Sequence, residues 1–284
     1  MFNEQNTIED MLLAAASDCG WTCIDPENIP RTKNDVMVEA WLKAALLKLN
    51  PGITDDQAEQ VIYRLRAVVQ GISGPTELVT SNQLFREQLF EKNSYPFGKD
   101  GEHITIRFFD CDNSANNQCI VTHQWIYANP GQQNNDKRFD LVFLINGLPV
   151  VIGEAKTPVR PSITWGDAAG DIRDYETSVP AMFVANVFNF ATEGKEYRYA
   201  GIGAPIDKWG PWYCGCERQT PSLSNVKRSF ETMVTPAQVL DIYRSFTLFA
   251  TDKRHRRIKV VCRYQQYEGA NAIVDRVLAG YPRK

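Results

Sequence analysis

Apolar residues recur at three- and four-residue spacing through the first third of the chain. Met11, Leu12, Leu13 and the alanines after them predict a helix that ends at Gly20, opened by Thr7 and Asp10 as a loose capping box. Val36, Val38, Trp41, Leu42, Ala45, Leu46 and Leu49 predict a second helix over about 34–49, stopped by Asn50-Pro51-Gly52. Ala58, Val61, Ile62, Leu65 and Val68 predict a third over 54–71, and a fourth follows around 77–91. The period then changes. His103 to Asp110 and Cys119 to Ala128 alternate as strands about a polar connection. The densest apolar stretch is 138–156, where two runs rich in Val, Ile, Leu and Phe flank Asn146-Gly147 and predict a β-hairpin. A helix over Thr164–Thr177, a buried strand over Phe183–Phe190, a strand over Tyr197–Ile202 and a helix over about 236–249 complete the pattern. Strand, helix and strand in that order make a crossover unit. The expected fold is α/β (α+β), a mixed central sheet flanked by helices, with 103–110 and 119–128 extending the sheet that holds the hairpin.

Charge at the ends of that hairpin changes the picture. Asp140, Glu154 and Lys156 sit in segments apolar enough for the middle of a covered sheet. Glu154 and Lys156 are two apart and share a strand face. With Asp140 across the hairpin, they make a set that could hold a divalent cation and place a water beside it. Register decides whether they meet. A two-residue Asn146-Gly147 loop pairs Asp140 with Gly153 and turns Glu154 to the opposite face. A shared site therefore requires one extra residue, and an irregularity is expected between 146 and 153, with Gly153 suited to a bulge and Pro149 arguing against an undistorted loop.

The 284 residues, 43% apolar and 23% charged, suit one large globular domain or two smaller ones. No apolar run approaches the ~20 residues of a membrane span, and the amino terminus lacks a basic region followed by an apolar stretch. A soluble cytoplasmic protein without membrane contact is expected. Seven cysteines at irregular spacing suggest no disulfide framework. Cys19, Cys23 and Cys214-Gly-Cys216 lack the spacing of a zinc site, so reduced structural thiols are expected. His103 and His123 are read as surface or hydrogen-bonded residues. Net charge is only −3, but residues 253–284 hold nine bases against Glu268 and Asp275, making this end the obvious DNA-contacting patch, with a solvated linker as the alternative reading of its basic run 253–257.

Asp140 followed by Glu154-x-Lys156 resembles the PD-(D/E)xK nuclease superfamily. The words Arg-Phe-Asp-Leu-Val, Asn-Gly-Leu-Pro-Val-Val and Glu-Ala-Lys-Thr-Pro sharpen this, because they are similar to the amino-terminal nuclease region of the type I restriction enzyme R (motor) subunit. The resemblance covers nearly the whole chain and is most specific at the hairpin. It implies a restriction-endonuclease-like core and a type I site-specific deoxyribonuclease module. Such a module cuts double-stranded DNA after ATP-driven translocation by a motor absent from these residues. Asp140, Glu154 and the backbone carbonyl of Ala155 would ligate Mg²⁺, and Lys156 would orient or help deprotonate the attacking water. Glu9 is then either a carboxylate complementing its helix dipole or an outer participant in the metal site.

Where the family usually shows Gln-x-x-x-Tyr after the catalytic strand, this sequence has Asp171-Ile-Arg-Asp-Tyr175. Tyr175 matches, either to touch a phosphate or position the metal site, or to pack with its hydroxyl satisfied, whereas an Asp at 171 cannot donate as an amide does. Trp209-Gly-Pro-Trp212-Tyr213 is a base-stacking loop or a core lid. Lys259 to Tyr267 is similar to the segment that introduces the motor, where Gln266 matches an adenine contact. No phosphate loop of the G-x-x-x-x-G-K-[ST] kind occurs, so ATP is expected to be a cofactor of the full-length subunit only. The domains are read as 1–250, endonuclease-like with a helical amino-terminal part, and 251–284, a basic linker leading into the motor. Partners implied are double-stranded DNA, the methylation and specificity subunits, and the chain's own motor domain. The rival is a catalytically inactive nuclease-fold domain for DNA clamping or subunit assembly.

Overall fold

The computed structural model describes residues 4–129, 136–157, 162–213 and 221–280. The first helix, α1 (Glu4–Asp18), starts before Thr7, the position at which the sequence pattern places its opening. β1 (Thr22–Cys23) follows, then α2 (Glu39–Leu49), α3 (Asp55–Gln70) and α4 (Leu78–Phe90). α2 begins later than its apolar spacing predicts. Val36, Met37 and Val38 are buried, but Val38 spends its N–H on the carbonyl of Gly147, 2.8 Å away, instead of on a helical partner. Gly147 permits that approach: its φ is +81°, and a Cβ there would fall 2.4 Å from the Val38 oxygen. α3 has a capping box, with Thr54 Oγ1 accepting from Gln57 N and Gln57 Oε1 accepting from Thr54 N.

β2 (Ser94–Tyr95) and β3 (Ile104–Thr105) pair with each other in a small separate sheet. The expected strand over His103–Asp110 therefore does not extend the main sheet. Ile106, Phe108 and Phe109 are buried, but side-chain amides satisfy the backbone there. Asn50 brackets Arg107, accepting its N–H at 2.7 Å and donating to its carbonyl at 2.9 Å, while Asn117 accepts from Asp110 N.

The main sheet takes β4 (Cys119–Ala128), β5 (Asp136–Ile145), β6 (Leu148–Ala155), β7 (Phe188–Thr192) and β8 (Tyr197–Ala200), in the order β1-β4-β5-β6-β7-β8. β1–β4 and β6–β7 are parallel and the remaining pairs antiparallel, so the sheet is mixed. Between β6 and β7 the crossover runs through α5 (Trp165–Ser178), whose N-cap Thr164 forms a second capping box with Asp167. The strand expected from Phe183 starts only at Phe188. Pro180–Phe183 instead form a 3₁₀ turn, and Asn82 of α4 donates to the carbonyls of Phe183, Val184 and Asn186.

The remaining elements are α6 (Leu223–Met233), α7 (Pro236–Ser245), β9 (Thr247–Thr251), β10 (Arg257–Val261) and α8 (Tyr264–Leu278). β9 and β10 form a hairpin against α4, in which the Lys259 ammonium is buried and donates to the Asn186 carbonyl. Tyr199 reaches from the sheet to the Cys262 carbonyl at 2.6 Å. The core lies on the apolar strands, where Phe143 meets the rings of Trp21, Phe190 and Phe230. No helix among the described residues is long and apolar enough to cross a membrane. Cys214 and Cys216 lie outside the described residues; Cys19, Cys23, Cys111, Cys119 and Cys262 are free thiols.

Candidate active site

The hairpin register brings the acids together. β5 and β6 pair Ile145 with Leu148 and Leu144 with Pro149, then shift to Phe143 opposite Val151. Val150 is the surplus residue, so Leu141 faces Gly153 and Asp140 comes across from Glu154. The irregularity expected between 146 and 153 is present, at Val150 and not at Gly153. Gly153 is small for another reason, since the ring of Phe190 lies directly on it and a Cβ there would fall 2.0 Å from Phe190 Cζ.

Strand geometry aims the backbone as well. Lys156 gives its N–H to Thr192 of β7, so the preceding residue points the other way, and Ala155 N–H reaches Asp140 Oδ2 at 3.0 Å. The Ala155 carbonyl leaves its strand on the same side as its N–H, toward Asp140. Glu154 is only 3% exposed. Its Oε1 faces Lys156 Nζ and the Tyr175 hydroxyl, both at 3.4 Å, while the buried Oε2 has no hydrogen-bond partner. Lys156 also donates to Asp171 Oδ2, the contact that answers what Asp does at this position. Tyr175 packs edge-on against Phe139, with centroids 4.9 Å apart, so it is both a packing aromatic and a neighbour of the acid pair.

Burial, and then the charge of Asp140, push the Glu154 carboxyl well above the usual range. Burial also raises Asp140, against the Ala155 N–H that lowers it. Desolvation would lower Lys156, but its bond to Asp171 and the charge of Glu154 more than reverse this, and its ammonium is held above the ordinary lysine value. Tyr175 is raised by burial and then by Glu154. Glu9, 8% exposed on α1, is raised by burial and next by Asp140, while Gln124 Nε2 donates to its Oε2 at 2.7 Å. Carboxylates outnumber cations in a partly desolvated space.

Among the described residues, no group of three or more His, Cys, Asp or Glu side chains converges on one metal position. A cation here would be held by two carboxylates and a carbonyl, the remaining positions falling to water or substrate. That sparse, hard-oxygen set suits Mg²⁺, which keeps much of its hydration, and the orphaned Oε2 of Glu154 is the buried acceptor such an ion would satisfy.

Other candidates sit elsewhere. Gln266 lies in the first turn of α8, where its Oε1 accepts from Arg263 N at 2.8 Å. His103 Nδ1 meets Ser94 Oγ, and Trp212 packs against Tyr199 and Tyr267 as a core lid. In the basic run, Asp252 accepts from Arg256 and Gln83 from Arg257. Gln124 joins the site without any signal in the sequence, since nothing in strand periodicity marks a glutamine that leaves the ladder.

A family model described as type I restriction enzyme R protein N terminus matches residues 1–205. Among curated proteins, the chain is similar to the "Type I restriction enzyme HindI endonuclease subunit" of Haemophilus influenzae, with 25% identity over 290 residues, covering 97% of this chain and 27% of that protein. It is also similar to the "Putative type I restriction enzyme MjaIXP endonuclease subunit" of Methanocaldococcus jannaschii, with 24% identity over 219 residues, covering 74% of this chain and 20% of that protein. The chain thus spans about a quarter of the length of these relatives.

Proposed function

The chain belongs to the family of type I restriction enzyme R protein N-termini, and from that premise we propose that it is an endonuclease module hydrolysing phosphodiester bonds of double-stranded DNA with Mg²⁺. The observation that carries this is the bulge at Val150, which sets Asp140 across from Glu154 with Lys156 beside them. Asp140, Glu154 and the Ala155 carbonyl would hold the ion. When bound, it supplies positive charge to phosphate oxygens and acidifies water. The chain's own residues do the rest. Lys156, held between Glu154 and Asp171, presents an ammonium that orients the attacking water and balances charge on the phosphate. The Tyr175 hydroxyl fixes Glu154 on its other side, and Glu9 adds negative potential from α1.

In the longer protein, cleavage follows ATP-driven translocation by a motor outside this chain, with target choice and methylation left to partner subunits in the cytoplasm. The nuclease unit is read as residues 1–250, with the β9–β10 hairpin that crosses this boundary packed on it, and the chain on to 284 is its approach to the motor, where Gln266 contacts adenine. The competing reading, an inactive nuclease fold that clamps DNA or assembles the complex, draws on the Lys156–Asp171 ion pair, which takes up the ammonium that chemistry needs.

The test uses the full-length subunit with its methylation and specificity partners, comparing wild type with Asp140→Ala, Glu154→Ala and Lys156→Ala. ATP hydrolysis and DNA cleavage are scored separately in Mg²⁺. Variants that translocate without cutting support the proposal; variants that cut like wild type leave only the clamp.

A further inference from the structure

Four non-glycine residues among those described have positive φ. Asp100 lies in a 3₁₀ turn, Asn146 in the hairpin turn and His255 between β9 and β10, where chain reversal calls for it. The fourth, Gln124 at +49°, stands in the interior of the ten-residue strand β4. Left-handed backbone is unfavourable for any residue with a Cβ, and in a strand it also interrupts the ladder. The interruption has a definite place. His123 pairs with Leu141 and Trp125 with Phe139, while Gln124 and the residue opposite it, Asp140, are skipped. The side chain of Gln124 is spent on one contact, the 2.7 Å bond from Nε2 to Glu9 Oε2. Glu9 is buried between core neighbours of α1, Ile8 and Leu12, and close enough to Asp140 to feel its charge.

We propose that Gln124 is a positioning residue: the ladder is broken opposite Asp140 so that its carboxamide can fix the Glu9 carboxylate beside the cation-binding acids. Glu9 then acts from outside the ligand pair, adding negative charge that tightens cation binding without taking a coordination position. This rests on the Mg²⁺ reading above and adds to it a route by which β4 and α1 set the affinity of the site. A purely structural role predicts the opposite of what is expected when the glutamine is removed. Gln124→Gly relieves the left-handed backbone but removes the side chain and its bond to Glu9, so the two effects offset and the melting temperature should change little while the site loses affinity.

The experiment is calorimetric titration of Mg²⁺ into this chain, without DNA, for wild type, Gln124→Gly, Glu9→Ala, their double variant and Asp140→Ala, each with its melting temperature. The expected result is a several-fold weaker Mg²⁺ affinity for Gln124→Gly and for Glu9→Ala, and a double variant no weaker than Glu9→Ala alone. Wild-type affinity in Gln124→Gly, or losses that multiply in the double variant, would overturn the assignment while leaving Asp140 and Glu154 as the site. Wild-type affinity in Asp140→Ala would remove the metal reading, and this inference with it.

Discussion

Gly153→Ala tests the packing that supports the acid pair. The added methyl would meet Phe190 Cζ at 2.0 Å and Cε1 and Cε2 at 2.5 Å. An ordinary contact needs ~3.5 Å or more, so the ring must retreat by roughly 1.5 Å. It has nowhere to go, being fully buried, stacked on Tyr197 at 5.4 Å and edge-on to Phe230 at 5.5 Å. Overpacking of this kind costs about 1–3 kcal/mol, and the alanine returns about 0.4–1 kcal/mol by restricting the unfolded chain. The net expectation is a loss of about 1–2 kcal/mol, or roughly 2–4 °C in melting temperature for a chain of this size. Urea and thermal unfolding followed by circular dichroism read it directly. The same substitution in a Phe190→Ala background meets no ring and should be neutral or slightly stabilising. Equal destabilisation in both backgrounds, or none in the first, would refute the assignment of Gly153 to the Phe190 contact.

Asn146→Ala should destabilise by about 3 kcal/mol in the same unfolding assays. It strips acceptor and donor from Gln118 N, Phe108 O and Asn117 Oδ1 and puts alanine at φ +51°, and Asn146→Gly should recover about 1 kcal/mol of that loss. Glu176, raised by burial to about 7 from 4.5, contributes stability that is fully present below its unfolded value and is lost as pH rises through about 7. The unfolding free energy of wild type relative to Glu176→Gln should therefore fall by about 3 kcal/mol between pH 4 and 8.5, as measured by urea titrations at both ends. Glu154→Gln removes a carboxyl raised by burial and by Asp140, so its melting temperature in EDTA at pH 8 should exceed that of wild type, and Mg²⁺ should no longer raise it.

Much of the fold was readable because it depends on periodicity and turn chemistry. The Asn146-Gly147 turn, the crossover around α5 and the need for an extra residue before Glu154 follow from counting positions along strands. The location of that residue did not, because Gly153 is a glycine for the sake of Phe190, a contact 37 residues away. Elsewhere, tertiary partners overrode local pattern. Asn50 and Asn117 drew the backbone of 106–110 out of a sheet, and Gly147 took the Val38 N–H that would have begun α2 sooner. α6, the β9–β10 hairpin and α8 were missed because their short apolar stretches are interrupted by charges that the fold places at the surface or, for Lys259, buries against a carbonyl. At the site, Asp140, Glu154 and Lys156 declared themselves by being charged in apolar strands. Asp171 and Gln124 acquire their partners only once α5 and α1 are docked.

The surplus residue in β6 also constrains how this region can change length over generations. Strand faces alternate, so losing Val150, or gaining one more residue between the turn and Glu154, would exchange the faces of everything beyond it and separate the two acids. Gaining or losing two together restores the alternation. Lineages descended from such a hairpin should therefore tolerate paired insertions there and purge single ones, a parity rule that sequencing of selected libraries can read without any structure.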